Sequence, residues 1–344
     1  MNVLLTGAFG NVGQSTLREL LKLGHTVRCF DVKTRANEKA ARKFKGQMEV
    51  QWGDLRRPDD LAAAVRDQDV VIHLAFIIPK LSVTGFESED HPGWAREVNV
   101  GGMRNLIAAM EAQPRPPKLL FASSYHIYGR TQHMAPPRTV DDPVQPIEHY
   151  AKHKVEAEAL IRASALEWAI FRLAAVLPIA MKMDPGMFDV PLDNRMEYVH
   201  TRDVGWAFAN AVSHPGVWGK TLHIGGGPRC QYLYREITGK VLDGMGVDPL
   251  PEAAFTSTPF PTDWLDTAES QRLLHYQRHT LDDYVADIKT RLGYRRFLVR
   301  AFRPLVRYWL LKQSPYLHPD RADWVPALLY KLKMLKNPPR VESR

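Results

Sequence analysis

The sequence predicts an α/β protein, a doubly wound parallel sheet with a smaller C-terminal substrate lobe and a basic helical tail. Three observations carry that expectation. Short apolar runs alternate with helically spaced apolar patterns, Gly7, Gly10 and Gly13 lie between the first run and the first helix, and an acid, Asp31, ends the second run. Residues 3–5 form the first expected strand, and residues 12–23 a helix that stops at Gly24. Residues 26–31, 48–51 and 70–74 follow as strands two to four, residues 94–111 as a helix and 119–123 as strand five. A long helix is expected over 148–164 and a further strand over 168–173, with 198–200 and 221–224 returning to the sheet. This places the dinucleotide-binding part at 1–175, its sheet completed by about 198–226, and the substrate lobe at 176–197 and 227–293. The tail is 294–344.

Composition narrows the function classes. Of the 344 residues 45% are hydrophobic, enough for a full core. The first strand begins at Asn2, so no leader is expected, and the longest apolar stretch, 70–79, contains His73 and is too short to cross a bilayer. Cys29 and Cys230 make no ligand cluster, and they read as reduced thiols of a cytoplasmic protein that binds no metal. The formal charge of +8 is uneven: residues 294–344 hold 12 Lys/Arg against three acids, and the rest of the chain holds 34 against 35. The body is thus nearly neutral, and no nucleic-acid partner is expected for it.

The chemistry lies in four groups of residues. In Thr6-Gly7-Ala8-Phe9-Gly10-Asn11-Val12-Gly13, missing β-carbons let backbone N–H groups approach a pyrophosphate at a helix N-terminus. Asp31, 18 residues past Gly13, is placed to accept both adenosine ribose hydroxyls and to repel a 2′-phosphate, which favours NAD over NADP; Lys33 and Arg35 soften that preference. Asp54 is placed either to meet the adenine amino group or to start a helix before Pro58. Tyr150 and Lys154 are four apart on one helix face, where an ammonium and the positive nicotinamide both favour the phenolate. Ser124 is expected to hold the substrate oxygen, and Asn99 to anchor a water or the cofactor and relay the proton.

With these residues in view, the chain resembles the extended short-chain dehydrogenase/reductases, the NAD-dependent epimerase/dehydratase family, over roughly residues 1–292. The matching residues are Thr6 to Gly13, Asp31, Gly53-Asp54-Leu55, His73-Leu74-Ala75, Asn99-Val100, Ser123 to Gly129, and Tyr150 with Lys154; Arg172 and Tyr198-Val199-His200 match more loosely. The resemblance implies a Rossmann-type sheet and NAD held by Gly7, Phe9, Gly10, Asn11, Val12, Gly13, Asp31, Asp54, Leu55, Leu74, Ala75, Asn99, Tyr150 and Lys154. It implies catalysis by Ser124, Tyr150, Lys154 and Asn99, and a homodimer through the helices of residues 94–111 and 148–164.

The departures concern the substrate. Sugar-nucleotide members carry an Asn where this chain has Ala175, an Arg where it has Met196 (with Arg195 adjacent), and a longer segment than the 27 residues between Arg172 and His200. The acid pair of sugar dehydratases is replaced by Tyr125-His126. Phe76, Met181, Met183, Met187 and Phe188 make the expected surroundings apolar, and Phe76, Ser124, Tyr125, His126, Met187 and Arg195 are candidate substrate contacts. The expected activity is NAD(P)-dependent hydride transfer to or from a secondary alcohol or ketone of an apolar small molecule. The alternatives are a nucleotide-sugar epimerase with retained cofactor and a non-catalytic cofactor-binding sensor or scaffold.

In the tail, Arg296, Arg300, Arg303 and Arg307 fall on one helical arc, with Leu298, Phe302, Leu305 and Trp309 opposite. Residues 324–336 repeat the character. Residues 294–336 therefore read as an element resting on the inner face of a membrane or as helices packed on the lobe or a partner subunit, with nucleic acid the least favoured third reading.

Overall fold

The structure is a computed structural model that describes residues 1–79, 87–179 and 184–317. Its centre is a seven-stranded parallel sheet: β1 (Asn2–Thr6), β2 (Thr26–Asp31), β3 (Glu49–Trp52), β4 (Val70–His73), β5 (Lys118–Ser124), β6 (Trp168–Leu173) and β8 (Thr221–Ile224), in the order β3-β2-β1-β4-β5-β6-β8. The strand order reverses between β1 and β4, which opens a crevice at their carboxyl ends.

Alternation along the strands builds two cores. Leu5, Cys29, Ile72 and Leu120 face one side and pack with Leu17 and Leu20 of α1 (Asn11–Lys22). Leu4, Phe30, Val71 and Phe121 face the other and pack with residues of α3 (Pro58–Ala64), α5 (Gly102–Glu111) and α6 (His149–Ala163). The remaining first-half helices are α2 (Arg35–Ala41) and α4 (Pro92–Arg96). The helix expected over 94–111 is not uniform, because one π turn, Glu97–Gly101, separates α4 from α5 and contains Asn99.

The chain divides into two compact units, residues 1–179, 195–232 and 261–284, and residues 180–194, 233–260 and 285 onward. The first holds the sheet and α7 (Thr201–Ser213), and also α9 (Ala268–Leu274) from a stretch expected in the lobe. Long-range bonds explain that placement: Gln277 donates to the Gly225 carbonyl, and Arg138 and Leu265 form a bridge. The second unit contains α8 (Tyr234–Met245), α11 (Arg295–Ala301) and α12 (Arg303–Leu311), while α10 (Leu281–Leu292) begins in the first unit and ends in the second. Residues 198–200 do not return to the large sheet as expected. The preceding β7 (Arg195–Glu197) pairs with β9 (Gln231–Leu233), Tyr198 makes an isolated bridge to Ala175, and His200 already caps α7, its Nδ1 accepting the Arg202 N–H.

One buried carboxylate fixes α6 against the sheet. Glu158 accepts from Ser123 of β5 (2.6 Å), from Arg172 of β6 (3.1 and 2.8 Å) and from Arg162 (2.9 Å). Arg172 continues to the Tyr128 hydroxyl (2.7 Å), which meets His223 Nε2 of β8 at 2.6 Å. Burial works to raise the Glu158 pKa, but the Arg172 bonds prevail and hold it below the usual glutamate value. Its contribution is therefore present above the unfolded value and is lost as pH falls through the lower folded one. Replacing Glu158 by Ala leaves Arg172 buried without its carboxylate and should cost about 3–5 kcal/mol in urea unfolding. Glu158→Leu/Arg172→Met should recover much of that loss, and a single variant as stable as the native protein would refute the anchor.

Candidate active site

The loop after β1 is shaped by two close approaches. Gly7 has φ +66°, and a β-carbon there would lie 2.7 Å from the Ala75 nitrogen; one at Gly13 would overlap the Gly7 carbonyl. Gly7 donates to the Phe30 carbonyl (2.9 Å) and Gly10 to Gly7 (3.2 Å), which tightens the turn into α1. The first turn of α1 has neither a side-chain cap nor an acidic residue, so its N–H groups and dipole favour an anion. Phe9 is buried against Trp52, with Asn11 and Val12 opening the helix. This cradle suits the pyrophosphate of a dinucleotide.

Asp31 closes the loop from the side. Its carboxylate accepts from the Phe9 N–H (3.0 Å), the Val32 N–H (2.9 Å) and Asn37 Nδ2 (3.0 Å). Burial raises its pKa to about 6 against the opposing pull of these bonds. Asp54 is held by Arg56, Nη2 to Oδ2 at 2.6 Å; burial pushes its pKa up, and Arg56 more than reverses this. Leu55 is buried, and its carbonyl accepts from Asn105. Across the crevice Leu74 and Ala75 donate to the carbonyl and hydroxyl of Thr6, both at 3.3 Å, so the loops after β1 and β4 hold each other.

Ser124, Tyr150 and Lys154 come together where β5 ends and α6 begins. The Tyr150 hydroxyl is desolvated and bonded by Ser124; burial, opposed by that bond, raises its pKa well above the ordinary phenol value. Lys154 is 3% exposed, donates to the Ala122 carbonyl (2.6 Å), and stands 3.5 Å over the Phe76 ring and 5.6 Å from the Tyr150 ring centre. Burial depresses its pKa well below the usual lysine value, with Glu158 pulling the other way. The phenolate expected from the sequence is thus not favoured by these side chains alone: the free protein holds a protonated phenol. Glu89 supplies the missing cap of α6, accepting the N–H groups of His149 and Tyr150.

Asn99 is fully buried and spends its amide on Ile77, accepting its N–H (2.6 Å) and donating to its carbonyl (3.0 Å), which makes it a positioning residue for the loop after β4. Phe76 is edge-on to Tyr150 and covers Lys154. His126 Nδ1 is 2.7 Å from Glu148, and its ring is edge-on to Tyr150.

Two expectations are corrected. Tyr125 is a core residue, 3% exposed, and Arg195 is spent on Asp263 (2.6 Å) and on the carbonyls of Thr131, Gln132 and Met134. Met187 lies in the second unit, its carbonyl accepting from the Tyr234 hydroxyl. Met181 and Met183 fall outside the described residues. Glu197, known from the sequence only as the acid that follows Met196, is a buried hub that accepts from Gly227, Gln231 and Leu265, its pKa raised to about 7 by burial.

The Asp31 carboxyl gives a pH test. Ribose hydroxyls donate to the ionised form, so the protonated form must first lose its proton. NAD affinity should be constant well above pH 6 and weaken about tenfold per pH unit below it. Calorimetric titration between about pH 5 and about pH 8 measures this. Asp31→Asn should bind more weakly with a flat profile, and a native profile without a break near the Asp31 value would refute the assignment.

Residues 3–179 match the NAD dependent epimerase/dehydratase family. A UDP-glucose 4-epimerase from Pisum sativum is 28% identical over 219 residues, 59% of this chain; the chain spans only 60% of that relative's length. A 3 beta-hydroxysteroid dehydrogenase/Delta 5-->4-isomerase from Mycobacterium tuberculosis is 36% identical over 107 residues, 31% of this chain and 27% of the relative. Among solved structures, a dTDP-glucose 4,6-dehydratase from Streptomyces venezuelae with NAD bound superposes with a TM-score of 0.70 at 25% identity, covering 86% of this chain and 97% of the other. With residues 3–179 matched, the chain belongs to the NAD-dependent epimerase/dehydratase family, an enzyme family whose cofactor is NAD.

Proposed function

We propose that this protein is an epimerase of the nucleotide-sugar type, which oxidises and re-reduces one carbon of a bound substrate while retaining its cofactor. The observation that carries the proposal is the desolvated Tyr150 hydroxyl, bonded by Ser124 and one helical turn from the buried Lys154. The likeness to UDP-glucose 4-epimerases over 59% of the chain supports the substrate class. When bound, NAD supplies the hydride acceptor and donor. Tyr150 takes the hydroxyl proton as the alcohol becomes a ketone and returns it on reduction. Ser124 donates to the substrate oxygen and keeps it against Tyr150. Lys154, poorly solvated between Ala122 and Phe76, supplies the positive charge that a developing phenolate needs. The family resemblance also supports a homodimer through α5 and α6, which the mass in solution measures.

A second reading has its own support. Arg195 is committed to Asp263, Met196 is buried and Ala175 offers no side-chain donor, so three positions suited to a diphosphate hold none. That favours a dehydrogenase acting on an apolar secondary alcohol and releasing reduced cofactor.

One experiment separates the two. Purified protein is given UDP-glucose or UDP-galactose while sugar interconversion and the absorbance of reduced nicotinamide are followed together. Interconversion with no net absorbance change, slowed at least about 100-fold in Tyr150→Phe, is the expected result. Reduced nicotinamide accumulating with hydrophobic secondary alcohols, and no sugar turnover, would replace the epimerase by the dehydrogenase. Equal activity in Tyr150→Phe would overturn both.

A further inference from the structure

The second unit ends in an amphipathic pair that docks by its charged side. The two arcs expected from sequence are both present in α11 and α12, and three arginines of the basic arc, Arg296, Arg303 and Arg307, are half-buried while Arg300 stays exposed. Arg303 pairs with Asp248 at 2.6 Å, Arg307 reaches the Pro249 carbonyl at 3.4 Å, and Arg296 is half-buried. None of the residues of α11 is buried, and in α12 only Leu310 is. The opposite face is bare: Phe297 is 72% exposed, Leu305 65%, Tyr308 58%, and Phe302 and Trp309 57% each. Of twelve exposed large hydrophobic residues among those described, eight fall between residues 294 and 316. Apolar exposure so concentrated marks a docking surface.

Charge identifies the partner. Residues 294–317 contain six Arg/Lys and no Asp or Glu. Arg300 and Lys312 are exposed, the latter 4.5 Å from the Tyr308 ring centre. A second copy set symmetrically on this face would bring the exposed Arg300 and Lys312 against their own counterparts, with no Asp or Glu of either segment to offset them. Residues 318–344, which lie outside the described residues, carry six more Arg/Lys against three acids. An anionic surface with an apolar layer beneath it satisfies both the cations and the aromatic side chains. We propose that the outward face of α11 and α12 seats the enzyme on an anionic lipid bilayer, with Phe297, Phe302, Leu305 and Trp309 entering the headgroup–acyl boundary and Arg300 and Lys312 meeting lipid phosphate. Among the described residues no helix is long and apolar enough to cross a membrane, so the attachment is interfacial.

Flotation of the full chain tests this. With vesicles of phosphatidylcholine plus about 30 mol % phosphatidylglycerol the protein should float; with phosphatidylcholine alone it should float far less, and added salt should release it. Phe302→Ser/Trp309→Ser should lower partitioning at least about tenfold. NAD binding should stay unchanged in that variant, which shows that it is folded and separates this result from the fate of the proposed reaction. Binding to neither vesicle overturns the proposal, as does flotation untouched by the double variant. Self-association in solution that the double variant abolishes would assign the face to a second copy instead.

Discussion

The site depends on one buried carboxylate. Tyr150, Lys154 and Glu158 stand at intervals of four along α6 and form a single stripe: phenol at the mouth, ammonium in the middle, carboxylate at the base. Glu158 ties that stripe to β5 through Ser123 and to β6 through Arg172. Burying these charges is costly, and the cost is offset because both Glu158 oxygens and the Arg172 fork have partners. Such a network sets geometry more than it adds stability. The position of the Tyr150 hydroxyl relative to Ser124 follows from it, since Ser124 directly follows the Ser123 that Glu158 holds.

The opposite wall is built with comparable economy. The π turn at Glu97–Gly101 contains Asn99, whose amide fixes Ile77, while Thr6 bonds Ala75 and His73. Between these clamps Phe76 is carried over Lys154. The ammonium therefore has one carbonyl and aromatic faces around it rather than water, which explains its depressed pKa. Burial thus works against charge on both groups, keeping Tyr150 a neutral phenol and lowering the Lys154 pKa. A cofactor with a positive ring supplies what these side chains lack.

Much of this was legible in the sequence because it is local or periodic. The glycine spacing, the acid ending β2, the i, i+4 pair on α6 and the strand alternation all lie within short windows. What escaped depends on distant partners. Nothing near Arg195 reveals that Asp263, 68 residues on, consumes its guanidinium. Nothing near Tyr125 shows that its ring belongs to the core, and the Asn99 amide is spent on a backbone 22 residues earlier. The tail shows the same limit in another form. The arcs of α11 and α12 were readable, but which arc faces the protein was decided by Asp248 and by the turn after α8.

Burial holds the Tyr150 phenol protonated in the free protein, and the positive ring of NAD, when bound, would act with Lys154 to favour its ionisation. Spectrophotometric titration of Tyr150, with Tyr150→Phe as the blank, measures it directly. The expected midpoint lies above the ordinary phenol value in free protein, falls clearly on saturation with oxidised NAD, and falls much less in Lys154→Met. A midpoint that is the same with and without NAD would contradict it.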